Sequence, residues 1–120
     1  MMQLWPSAIR AKPAIPEMDF SGVGYITLPA ACVVRKPGNV GFEAAAGLGV
    51  SGCTALVLMD HAGLQKGDRV LVNGASGGIG SIVVQLAKEA VGKEGGVVAI
   101  CSGGNVDMVK ALGADEVCIA

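Results

Sequence analysis

The stretch that most constrains this chain is Gly74-Ala75-Ser76-Gly77-Gly78-Ile79-Gly80. It follows the apolar run Val70-Leu71-Val72 and opens a segment with helical periodicity. Four glycines in seven residues let the backbone turn tightly and meet a ligand with no Cβ between them. A helix starting there turns unpaired N–H groups and a partial positive charge towards the loop. Strand, glycine loop and helix start together suit a phosphate or pyrophosphate.

The flanking pattern extends this unit in both directions. Phe42 to Ala62 reads as helical with a break at Gly47-Leu48-Gly49, and Gly63 is its stop. Met59 belongs to the apolar stripe of that helix and reads as core. Lys66-Gly67-Asp68 is a turn into a strand over Arg69–Asn73. After the loop, Ile79, Ile82, Val83, Leu86, Ala87 and Ala90 recur at helical spacing, with Ser81, Gln85, Lys88 and Glu89 on the other face. Val97–Cys101 is a continuous apolar run of the kind that suits a parallel strand covered on both faces. Asn105 is expected to cap a helix carrying Val106, Val109 and Leu112, which Gly113 ends before a last strand over residues 116–119. The fold class is therefore α/β, an incomplete Rossmann-type parallel sheet in β-α-β-α-β order with right-handed crossovers.

Composition narrows the function. In 120 residues carrying a net charge of −1 there is no basic footprint for nucleic acid or an anionic membrane. Trp5, Phe20, Tyr25 and Phe42 are too few and scattered to stack single-stranded bases. No apolar stretch is long enough to span a bilayer, and the N-terminus does not read as a signal peptide, so the cytosol is the expected location. Cys32, Cys53, Cys101 and Cys118 form no C-x-x-C pair, and His61 has no ligand partner nearby, so no metal is expected. Cys101 and Cys118 lie in apolar runs and are expected to be buried, reduced thiols. His61 follows Asp60 near a helix end, where a dipole-compatible role is more ordinary than acid/base work. Residues 1–37 are cut by five prolines into short extended pieces, with strands expected over 19–23 and 31–35. The lone Tyr25 reads as a packing residue.

Three families fit the loop. Gly74-Ala75-Ser76-Gly77-Gly78 has the G-x-S-x-G form of a hydrolase nucleophile elbow, but no histidine follows Ser76 to complete a triad. The Gly74-x-x-x-Gly78-x-Gly80 spacing is similar to the cofactor loop of short-chain dehydrogenases, yet no Tyr-x-x-x-Lys follows. From about Pro16 onward the chain resembles the medium-chain dehydrogenase/reductase superfamily, in its zinc-independent quinone oxidoreductase and enoyl reductase branch. The resemblance rests on Asp19-Phe20-Ser21-Gly22-Val23, Pro29-Ala30, Val34-Arg35-Lys36-Pro37, Glu43-Ala44-Ala45 and Gly52-Cys53-Thr54-Ala55. It continues with residues 66–72, the loop itself, and Leu112-Gly113-Ala114-Asp115.

That resemblance implies NADPH-dependent hydride transfer to a small-molecule quinone or activated alkene (an enone). It places the cofactor pyrophosphate on Ala75, Ser76, Gly77, Gly78, Ile79 and Gly80, with Thr54 beside the cofactor. No residue matches an obligatory catalytic acid or base. An NAD-preferring site holds a carboxylate at the end of the second strand. Here that turn is Ser102-Gly103-Gly104-Asn105, which is neutral and leaves room for a 2′-phosphate to which Ser102 could donate. The resemblance divides the chain into a remnant of a barrel-like substrate domain over residues 1–40 and the first half of a nucleotide-binding domain over 41–120. Both domains are shorter than the family's, so the chain reads as a fragment. The strand over residues 69–73, central in the order 3-2-1-4-5-6, becomes an edge and invites a homodimer. The rival reading is a non-catalytic nucleotide-binding remnant or a regulatory partner.

Overall fold

The computed structural model describes residues 35–120 together with Pro29 and Ala31. The strand expected over 19–23 and Tyr25 lie outside the described residues, as do 32–34 of the strand expected over 31–35. The chain divides into two compact units, residues 1–50 and 51–120. In the first, α1 (Phe42–Ala46) is a short helix with no buried side chain. Lys36 Nζ lies 4.9 Å from the centroid of the Phe42 ring and donates to the carbonyls of Pro37 and Val40. The glycine break falls at residues 47–49, and α2 (Val50–Ala62) follows it.

The second unit carries the sheet. After α2 come β1 (Arg69–Asn73), α3 (Gly78–Val91), β2 (Gly96–Cys101), a 3-10 turn over Gly103–Asn105, α4 (Val106–Ala111) and β3 (Glu116–Ile119). The strands are parallel in the order β1-β2-β3, so β1 and β3 are edges among the described residues. Register pairs Val70 with Val97 and Val72 with Ala99, then Ala99 with Val117 and Cys101 with Ile119. Successive side chains leave a strand on opposite faces, so these residues share one face. That face is the core: Val72, Val97, Ala99 and Cys101 pack with Val84, Ala87 and Val91 of α3 and Val109 of α4.

Helices α2 and α4 end where a glycine allows it. Gly63 and Gly113 have φ of 57° and 114°, left-handed values that a β-carbon disfavours. Burial of Val84, Val91, Val97 and Val109, all fully inaccessible, stabilises the unit by about 2 kcal/mol per side chain.

Three expectations are corrected. The run at residues 97–101 is fully packed on one face only among the described residues: Val97, Ala99 and Cys101 are buried, whereas Val98 and Ile100 on the other face are half-buried. Cys118 shares that second face and is exposed, whereas Cys101 on the core face is buried. Asn105 occupies the N-cap position of α4 without a side-chain capping bond, and its amide is used elsewhere.

On the second face, Arg69 reaches diagonally over Gly96 to pair with Glu116 at 2.9 Å. A β-carbon built on Gly96 would lie 3.7 Å from Arg69 Cγ and Nε, so the guanidinium stem lies directly above it.

Candidate nucleotide-binding site

The loop is held at both ends by backbone bonds. Ala75 N–H donates to the Ile100 carbonyl at 3.0 Å, tying the loop to β2. Gly77 N–H donates to the Gly74 carbonyl at 3.0 Å and closes a turn that Gly74 enters at φ 68°. Ser81 N–H donates to the Gly77 carbonyl at 2.9 Å, the first helical bond of α3. No side chain caps α3 at Gly77, so its first-turn N–H groups have no side-chain acceptor.

The glycines divide the work. A β-carbon on Gly80 would stand 2.2 Å from the Gly74 carbonyl oxygen and 2.9 Å from Ala75 Cα, so only glycine lets α3 start this close to the loop. Gly74 has open space where its β-carbon would be. Bare backbone, uncapped N–H groups and a helix N-terminus at the carboxyl end of a parallel strand are an arrangement that suits a phosphate. The residues present fit a dinucleotide pyrophosphate.

A cleft of about 740 Å³ runs along the open edge of β1, over residues 70–73, and reaches Gly74, Gly77, Gly78, Ile79 and Gly80. Its polar side chains are Ser51 and Asn73, neither of which was identified from the sequence. Ser51 Oγ stands 3.2 Å from where a Gly78 β-carbon would be, which brings the first turn of α2 up to the loop. Ser51's position just after the glycine break was the available signal. Thr54, half-buried on α2, is not among the cleft residues. Ala75 is fully buried and Ser76 half-buried, and neither lines the cleft. Met59 lines the cleft and also packs on the core.

Ser102 and Asn105 follow the end of β2. Asn73 pairs with Ile100 in the β1–β2 register, so the glycine loop and the Ser102 turn leave the same end of the sheet from neighbouring strands. Asn105 Nδ2 donates to Ser102 Oγ at 2.9 Å. His61 is away from this chemistry: its exposed ring bonds through Nδ1 to the Val57 carbonyl at 2.8 Å, one turn back on α2.

This sheet and its glycine loop define an incomplete α/β unit of the Rossmann type. No family model matches the chain. It is 47% identical over 90 residues to a chloroplast envelope quinone oxidoreductase homolog of Arabidopsis thaliana, covering 70% of this chain and 26% of that protein. It is 40% identical over 100 residues to 2-methylene-furan-3-one reductase of Solanum lycopersicum, covering 83% of this chain and 26% of that one. Among solved structures, the quinone oxidoreductase of Thermus thermophilus, also described in complex with NADPH, superposes with a TM-score of 0.68 at 29% identity. That match covers 78% of this chain and 31% of that structure. This stretch of polypeptide belongs to the medium-chain dehydrogenase/reductase superfamily, among its quinone oxidoreductases and enoyl reductases. It spans about a quarter of the length of the curated relatives it matches.

Proposed function

We propose that the chain forms the adenosine- and pyrophosphate-binding part of an NADPH-dependent oxidoreductase acting on a quinone or an activated alkene. The observation that carries this reading is the loop over residues 74–80, open at Gly74 and closed behind by Gly80 at a distance no other residue tolerates. The first turn of α3 and the faces of Gly77 and Gly78 would hold the pyrophosphate. Ser102 and Asn105 would meet the adenosine ribose, and Thr54 is assigned beside the cofactor. The neutral turn at residues 102–105 favours NADPH, because a carboxylate there would repel a 2′-phosphate. When bound, the cofactor supplies a hydride; the chain's residues bind and orient it. No catalytic acid or base is assigned.

The reading is zinc-independent, following the branch that the sequence resembles. It takes residues 1–40 as a remnant of a substrate domain and 41–120 as half of the nucleotide domain. It pairs two copies through the β1 edge. The cytosol is the proposed location, and no described helix is long and apolar enough to cross a membrane; the Arabidopsis relative is named for the chloroplast envelope. A second reading, binding without turnover, draws on the cleft, whose polar side chains Ser51 and Asn73 carry no acid/base chemistry.

NADPH oxidation in the presence of a quinone acceptor, measured beside equilibrium binding, tests both. Turnover supports the enzyme and saturable binding without turnover supports the second reading. Absence of binding removes the cofactor assignment.

A further inference from the structure

We propose that Asn105 is a positioning residue that presents Ser102 as a hydrogen-bond donor to the 2′-phosphate of NADPH, and thereby sets discrimination against NADH. The inference rests on the cofactor reading above.

Two bonds join these residues. Asn105 N–H donates to the Ser102 carbonyl at 2.9 Å, and Asn105 Nδ2 donates to Ser102 Oγ at 2.9 Å. A hydroxyl has one hydrogen to give and two lone pairs to accept with. The amide takes one lone pair, so the Ser102 hydrogen cannot point back at it and is directed away from Asn105. The space it faces is open: Ser102 is exposed, and a β-carbon on Gly104 would meet nothing within 4 Å. A β-carbon on Gly103 would meet only Ile119, at 3.7 Å.

A hydroxyl held as a donor beside two residues without side chains suits a dianionic phosphate oxygen. It offers less to a ribose hydroxyl, which can give or accept with equal ease. Asp107, exposed in the first turn of α4, is the carboxylate nearest in sequence, and no hydrogen bond ties it to Ser102 or Asn105. A free rotor at Ser102 would serve both nucleotides alike. The amide makes the difference.

Equilibrium titrations of the chain with NADPH and with NADH, run on Asn105→Ala, Ser102→Ala and the double variant, test the assignment. The expected result is a fall in NADPH affinity of about tenfold for either single variant, the scale of a hydrogen bond to a charged group. NADH affinity is expected to change little, and the double variant to be no worse than Ser102→Ala. Asn105→Asp guards against a folding defect, because it keeps the size and the backbone bond. Its carboxylate only accepts, so it turns the Ser102 hydrogen inward, and its charge also repels the 2′-phosphate; it is expected to lower NADPH affinity further than alanine does. NADPH and NADH affinities falling together, or losses from the two single variants that multiply, would overturn the assignment. Weak NADPH binding to Asn105→Ala with NADH unchanged would distinguish it from mere loss of structure. An unaltered chain that binds neither nucleotide would overturn both this inference and the cofactor reading; one that binds both equally would overturn this inference alone.

Discussion

Lys88 grips both carboxylate oxygens of Asp115, at 2.7 and 2.9 Å, while Asp115 Oδ2 also accepts the Val97 N–H at 2.8 Å. One side chain thus joins α3, the central strand and the approach to β3. The stem of Lys88 passes Gly113, where a β-carbon would lie 3.2 Å from Lys88 Cγ. The hydrogen bond from Lys88, then that from Val97, holds the Asp115 carboxyl below its usual range.

A carboxylate depressed in the folded state contributes stability above its unfolded pKa and loses it as pH falls through the folded value. Asp115→Asn is therefore expected to destabilise the fold at pH 7 by roughly 1 kcal/mol, discounted because both side chains stay partly open to solvent. The gap from the unaltered chain should narrow below about pH 4. Urea unfolding at several pH values checks this; a gap that stays constant down to pH 2 would count against it.

Gly80→Ala places a β-carbon against backbone atoms that cannot swing aside, so α3 must shift. We expect a loss of about 1–3 kcal/mol together with loss of nucleotide binding. Gly78→Ala meets only the Ser51 side chain, with its hydroxyl at 3.2 Å, and should fold. Thermal melts of the two variants side by side separate a packing requirement from a general dislike of side chains in the loop.

Leu71 sits at the middle of the β1 edge and is 61% exposed. If two copies pair through that edge, Leu71→Lys should shift the chain towards monomer in sedimentation equilibrium, since charge on an edge strand blocks pairing. Its unfolding free energy should change by less than about 0.5 kcal/mol, as for other surface substitutions. An unchanged association constant would place any dimer contact elsewhere.

Cys53 and Cys118 are exposed and Cys101 is buried. Brief alkylation of the native chain, followed by peptide mapping, should label Cys53 and Cys118 and spare Cys101 until denaturant is added. Early labelling of Cys101 would mean that the β2 core opens readily.

Local signals in the sequence were enough for the elements. Apolar runs bounded by turn residues fixed β1 at Arg69–Asn73, and the glycines at 47, 49, 63 and 113 marked where helices break or stop. The loop was legible because its glycines lie close together in the chain. Relationships between distant residues were not. Cys118 looked buried because its run is apolar, yet burial depends on which sheet face has cover. Asn105 looked like a cap because the residue type suits one, but Ser102 competes for its amide. Ser51 reaches the cleft because α2 and α3 begin side by side; its place after the glycine break marks a helix start but not which element lies beside it.

The Arg69–Glu116 bridge has a consequence beyond its small energy as an exposed pair. A parallel strand that slips by one residue turns every side chain to the opposite face. Were β3 to slip so, Glu116 would move to the far side of the sheet from Arg69, and the bridge would be lost along with the apolar match. The bridge spans all three strands over Gly96, so it works as an alignment pin: it discriminates among registers more than it strengthens any one of them.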